Sequence, residues 1–126
     1  MIVADAEGLK VVLVGHCGPD SHLLKRAVAD AVPGATVAMN AEEKSLWNSA
    51  AHLLLVNRVL DGWYADDSGL RLIAEAKERG VPALLISNYA DAQAASVAAG
   101  GAPGFGKREA RTDKATRAIR GALKLD

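Results

Sequence analysis

Three uninterrupted apolar runs punctuate the chain, Val11 to Val14, Leu53 to Val56 and Ala83 to Ile86. Each is short for a helix and too uniform for a strand with one wet face, so they read as strands buried on both faces, as in a parallel sheet. Between them apolar positions recur at helical spacing. After Pro19, the residues Leu23, Leu24, Ala27, Val28 and Ala31 line one face of a helix that Pro33-Gly34 ends. Asn40, followed three residues later by Glu43, has the form of a capping pair and predicts a short helix through Ser49. Ser68 is a candidate cap for the next helix, with Leu70, Leu72, Ile73 and Ala76 turned inward and Gly80 as its stop. Ala90 to Gly101 reads as an Ala-rich helix. The last helix, about Thr112 to Lys124, turns Ala115, Ala118, Ile119, Ala122 and Leu123 to the core. Strands alternating with helices predict a parallel α/β sandwich.

Half of the 126 residues are hydrophobic and 24% are charged, which suits one domain with a proper core. The expected organisation is a single domain over 1–126, with 1–8 as an N-terminal arm. The lone cysteine, Cys17, leaves no internal disulfide framework, and no stretch reads as a signal peptide or membrane span. A cytoplasmic setting without membrane contact is therefore expected. Formal net charge is zero but unevenly spread: from Lys107 to Asp126 seven Lys/Arg stand with three acids, against eight and twelve in the remainder. Arg117, Arg120 and Lys124 lie opposite the apolar stripe of the last helix, with Lys114 at its flank. Such a basic face either keeps a helix soluble or docks an acidic partner or a second copy of the chain. No recognition helix, stacking platform or strongly basic domain accompanies it, so nucleic acid is not an expected partner.

In parallel α/β sheets, ligands and chemistry collect at the carboxyl ends of the strands, near the point where strand order reverses. Here those ends hold Gly15, His16, Cys17, Asn57, Ser87 and Lys107. No nucleophile and base stand together, and His52 falls at a strand start, which argues against an enzyme. His16, Cys17 and His22 form the one dense group of soft ligands, with no fourth in view, so neither a metal nor another cofactor is expected. Trp47, beside Leu46, reads as packing. Trp63 and Tyr64 stand in the stretch Asp61-Gly62-Trp63-Tyr64-Ala65-Asp66-Asp67, where they either form a binding hot spot or fold back as a lid.

These landmarks also fall in a familiar order. Leu9-Lys10-Val11-Val12-Leu13-Val14 has the look of a first strand and Pro19-Asp20-Ser21 of the entry to a first helix, while Asn57 to Leu60 follows a third strand. Ser68-Gly69-Leu70 opens a third helix, Pro82-Ala83-Leu84-Leu85-Ile86-Ser87 is a fourth strand with a terminal hydroxyl, and Gly101-Ala102-Pro103-Gly104-Phe105 leads to a lysine. From Leu9 to Leu123 the set resembles the receiver domain of two-component response regulators. The resemblance implies a three-layer, flavodoxin-like, doubly wound sandwich with a five-stranded parallel sheet, acting in signal transduction. It also implies a phosphoryl-accepting aspartate where this chain has Asn57, an acidic pair for Mg²⁺ where it has Gly15-His16-Cys17, and a hydroxyl and a lysine matched by Ser87 and Lys107.

A neutral amide is a poor substitute for a carboxylate nucleophile, and imidazole and thiol do not suit Mg²⁺. The chain is thus expected to be a degenerate receiver, not phosphorylated in the usual way, that works through a protein partner or a homodimer. In the family the fourth helix, fifth strand and last helix form a common docking face. Phe105, Arg117 and Arg120 fall there and, with Trp63 and Tyr64, make up the candidate partner surface. Ser87 matches the family's hydroxyl, yet a hydroxyl at a strand end also caps the turn that follows. Phe105 and Lys107 are two residues apart where the family has three, which calls for a bulge or a reassigned cation, and the proline that usually follows the lysine is missing. Gly69 lies twelve positions after Asn57, making this loop about four residues longer than the family pattern.

An alternative from another class is a corrinoid- or other small-ligand-binding flavodoxin-like domain. Asp20-Ser21-His22 is similar to part of the corrinoid-binding motif, and Gly100-Gly101-Ala102-Pro103 to its glycine pair. Lys25 stands where that motif has a glycine, and Ser87 is too close to the Gly-Gly pair for the strand and helix expected between them.

Overall fold

The computed structural model describes residues 8–125, so the expected arm lies, apart from Gly8, outside the described residues. The chain runs β1 (Lys10–Val14), α1 (Gly18–Ala31), β2 (Thr36–Asn40), α2 (Glu43–Leu46), β3 (Leu53–Asn57), α3 (Gly69–Arg79), β4 (Ala83–Ile86), α4 (Ala90–Ala98), β5 (Ala102–Phe105) and α5 (Asp113–Ala122), with a 3-10 turn over Lys107–Glu109. All strand pairs are parallel in the order β2-β1-β3-β4-β5. Strand order therefore reverses between β1 and β3, and the crevice at their carboxyl ends is where such sheets carry sites.

The apolar runs are the central strands, and their alternate residues feed two separate cores. Val11, Leu13, Leu53, Leu55, Leu84, Ile86 and Phe105 pack against α1 and α5 through Leu24, Ala27, Val28, Ala115 and Ile119. Val12, Val14, Leu54, Val56, Ala83 and Leu85 pack on the other face against Leu46 of α2, Leu72, Ile73 and Ala76 of α3, and Ala92 of α4. Three layers result. Because the strands are covered on both faces, truncating one side chain such as Leu55 to alanine costs about 2–5 kcal/mol.

Caps set both limits of α3. The Ser68 side chain accepts from Arg71 N (3.3 Å) to start α3, and Gly80 ends it in the left-handed conformation (φ 75°). Gly69 has a further reason to be glycine: a Cβ there would clash with the Asn57 carbonyl, so its absence lets α3 begin directly against the end of β3. The expected helix cap at Asn40 is a correction. Asn40 is the last residue of β2, its Oδ1 accepts from Glu42 N (3.1 Å) in a local turn, and α2 is one turn long with Glu42 at its cap position. A side chain that bonds the backbone two residues on forms a turn in place of a helix start.

Candidate functional site

Asn57 stands at the carboxyl end of β3, and both hydrogens of its amide are spent. Nδ2 donates to Gly15 O at 3.0 Å and to Val59 O at 2.8 Å. The first bond ties the β1–α1 turn to β3, and the second closes the start of the long loop. Gly15 O also accepts from Asp61 N (3.0 Å), and Gly15 N donates to Asn40 O (3.2 Å), so four segments meet at one buried glycine. Gly15 sits at φ 75°, and a Cβ there would press on Leu60 at 2.7 Å. An ionised carboxylate in place of the amide would have no hydrogen to donate.

His16 follows with its Nε2 2.9 Å from Leu55 O, so Nε2–H is the donor and Nδ1 carries the lone pair. Nδ1 is buried and without a hydrogen-bond partner, and burial pushes the imidazole pKa down to about 4. His16 is a neutral wedge near neutral pH. Cys17 is exposed. Asp20 Oδ2 lies 2.6 Å from Lys107 Nζ, and this ammonium is the main reason its carboxyl is held below the usual range. A carbonyl that already accepts two N–H donors, an imidazole already bonded through Nε2, a thiol and an acid neutralised by lysine do not suit Mg²⁺, which takes near-octahedral oxygen ligands. Among the described residues no group of three or more His, Cys, Asp or Glu is placed to hold a metal ion.

Asn57, Ser87 and Lys107 do come together, on a cavity of about 210 Å³ that Arg58, Val59, Ile86, Asn88 and Tyr89 also line. Gly15, His16 and Cys17, expected with them, do not line it. Ser87 Oγ accepts from Tyr89 N (3.1 Å), which is the turn-capping role of a strand-end hydroxyl. Lys107 lies just past β5, in the 3-10 turn. A bulge is present, but upstream: Leu84 pairs with Ala102 and Ile86 with Phe105, so β5 carries one extra residue before Phe105. The sequence reading missed Arg58, Asn88, Tyr89 and the acid Asp20. Arg58 lies over the Tyr89 ring at 5.2 Å, on the wall shared with a larger cavity of about 600 Å³ between α3 and α4. Adjacency to Asn57 was the one signal for Arg58.

Two members of the candidate partner surface, Phe105 and Arg120, are placed differently from expectation, and Tyr64 takes the second of its two expected places. Phe105 is fully buried in the core beneath α1 and α5, because its strand position points inward. Tyr64 folds back: its hydroxyl lies 2.7 Å from Asn40 O and 3.0 Å from Asn40 Oδ1, and burial pushes its pKa up to about 12. Arg120 is half-buried and donates to Ala31 O at the end of α1 (3.0 Å). Arg117 is exposed, touching the carbonyl of Asp113 on its own helix, and Trp63 is 81% exposed. Trp47 is half-buried under the Arg79 guanidinium, in line with a packing role.

The corrinoid motif does not assemble. His22 is exposed within α1, at the carboxyl end of the sheet, whereas Gly100 and Gly101 precede β5 at the opposite end.

No family model and no curated protein matches the chain. Solved structures do match. The RcsB response regulator of Salmonella typhimurium superposes with a TM-score of 0.72 at 15% identity, over 95% of this chain and 62% of that one. The non-phosphorylated receiver domain of RcsB from Escherichia coli gives 0.71 at 15% identity, over 94% of this chain and 95% of that one. A response regulator from Thermotoga maritima gives 0.72 at 18%, over 92% and 98%. The chain spans under two thirds of the Salmonella typhimurium RcsB chain and nearly all of the other two. Its fold is that of response-regulator receiver domains, a flavodoxin-like doubly wound sandwich.

Proposed function

We propose that this receiver-fold domain acts in signal transduction by binding other proteins and does not take a phosphoryl group on an aspartate. The observation that carries it is the double donation by Asn57 Nδ2 to Gly15 O and Val59 O. The residue at the phosphoacceptor place is both without a carboxylate and committed as a donor to the two loops around it. Lys107, which the resemblance would direct to a phosphoryl group, is paired with Asp20, and the Ser87 hydroxyl caps its own turn. With these side chains engaged internally, a signal passes through a surface, to a protein partner or a second copy. No helix among the described residues is long and apolar enough to cross a membrane, and we place the domain in the cytoplasm.

Incubation of the full chain with acetyl phosphate and Mg²⁺, followed by intact-mass spectrometry and hydroxylamine treatment, tests this. No added phosphoryl mass is expected. A hydroxylamine-labile adduct on any aspartate, Asp61, Asp66 and Asp67 included, would overturn the proposal.

A further inference from the structure

The long loop between β3 and α3 is fixed on both sides of Trp63. Trp63 N donates to Ala41 O (2.7 Å) and its carbonyl accepts from Glu43 N (2.9 Å), so Trp63 forms a parallel bridge with Glu42. On the far side, Arg71 forks onto both oxygens of Glu43 (2.7 and 3.1 Å) and reaches Asp66 through Nε (2.9 Å). Glu43 Oε1 also accepts from Ala65 N (3.0 Å), and Tyr64 is docked on Asn40. The loop base closes through a Val59–Ser68 bridge. The backbone is therefore ordered before any partner arrives, while the indole stands 81% exposed. Docking on such a residue costs little ordering entropy, and a large rigid aromatic is the side chain most apt to anchor an interface.

Charge around the indole names the partner. Glu42, the bridge partner of Trp63, shares its face, and Asp61 lies two residues before it; both are exposed and neither forms an ion pair among the described residues. The half-buried cation nearby, Arg71, is consumed by Glu43, Asp66 and Glu75. An exposed indole flanked by unpaired carboxylates suits a guanidinium, which stacks on the ring and bonds carboxylates in one plane, better than an ammonium.

We propose that Trp63, with Glu42 and Asp61, docks a protein partner through an arginine-bearing basic segment. This rests on the protein-binding function above and gives it a surface and a partner chemistry.

The test uses the full ¹⁵N-labelled chain titrated with two synthetic peptides of equal charge and length, one alternating Arg and Leu, the other Lys and Leu. Saturable shifts of the Trp63 indole N–H and of the Glu42 and Asp61 amides are expected with the arginine peptide, with weaker binding of the lysine peptide. Trp63→Ala, or Glu42→Gln with Asp61→Asn, should each weaken the arginine peptide about tenfold, with unchanged Tm because all three side chains are exposed. Equal binding of both peptides, binding that survives Trp63→Ala, or shifts centred on α5 would overturn the assignment. So would self-association in sedimentation velocity that Trp63→Ala abolishes, since the occupant would then be a second copy. Pull-downs from native extract separate the two levels: partners retained by Trp63→Ala refute this surface alone, and absence of partners for the unaltered chain refutes protein binding itself.

Discussion

Replacing Asn57 by aspartate removes two donors and brings a charge to the place where two carbonyl oxygens converge. Asn57 Nδ2 lies 3.0 Å from Gly15 O and 2.8 Å from Val59 O. Each hydrogen bond is worth roughly 0.5–1.5 kcal/mol net, so their loss costs about 2 kcal/mol before any repulsion is counted. An ionised carboxylate adds repulsion between oxygens, and the folded protein relieves it by protonation, which restores one O–H donor. The folded pKa of the introduced carboxyl is thus raised above its unfolded value. The unfolded chain releases its proton first, so the deficit relative to the parent grows as pH rises from about 4 towards neutrality. We expect Asn57→Asp to cost about 3 kcal/mol at pH 7.5 and about half as much at pH 4.5, while Asn57→Ala costs about 2 kcal/mol at both. Guanidinium denaturation followed by circular dichroism at the two pH values reads both quantities. Parental stability of Asn57→Asp at pH 7.5 would refute the clamp, and a hydroxylamine-labile phosphoryl adduct on the variant would show that the reaction needs only the one carboxylate.

Two further predictions concern residues that the sequence placed at a site and the structure places in the scaffold. His16 has its pKa lowered from 6.5 to about 4, so the unfolded chain binds the proton first as pH falls. Its contribution is complete above pH 6.5 and is lost down to about 4, on the order of 3 kcal/mol at 1.36 kcal/mol per unit; His16→Gln should flatten that part of the stability profile, and an unchanged slope between pH 6.5 and 5 would count against the buried neutral imidazole. On α5, Arg120→Ala should cost about 1 kcal/mol through the lost bond to Ala31 O, while Arg117→Glu stays within about 0.5 kcal/mol; equal Tm shifts for the two would contradict the different placements.

What is legible in the sequence follows from where the signal is strong. β1, β3 and β4 are buried on both faces, so hydrophobicity alone writes them out as continuous runs, and α1, α3 and α5 declare themselves by caps and stripes. β2 is an edge strand with exposed or half-buried residues throughout, Thr36–Asn40, and only the short stretch Val37-Ala38-Met39 marks it. The Asn40–Glu43 pair imitates a helix start because the same short polar side chain serves a turn equally well. Asn57, Ser87 and Lys107 are legible at the site through the order of landmarks, whereas Gly15, His16 and Cys17 do not line the cavity expected of them, because side-chain directions are not legible. Phe105 is assigned to the surface by the docking face that the resemblance implies, which does not say which side chains of an edge strand are covered, and the bulge in β5 shifts the register just before it.

The consequence reaches from local bonding to the way a signal can be carried. In a domain whose strand-end polar groups are free, a ligand at the crevice gains differential contacts between two arrangements of the loops and shifts their populations. Here Asn57 fastens the loops after β1 and β3, His16 is wedged against Leu55 O, and Lys107 ties the turn after β5 to Asp20 on α1. Each of these bonds would have to break before the loops could move, which opposes a switch at the crevice. The same fastening supports the opposite kind of function, because a rigid loop that presents Trp63 binds with little further loss of entropy. On the function proposed above, such a domain would respond to whether its partner is present, with its own conformation set in advance.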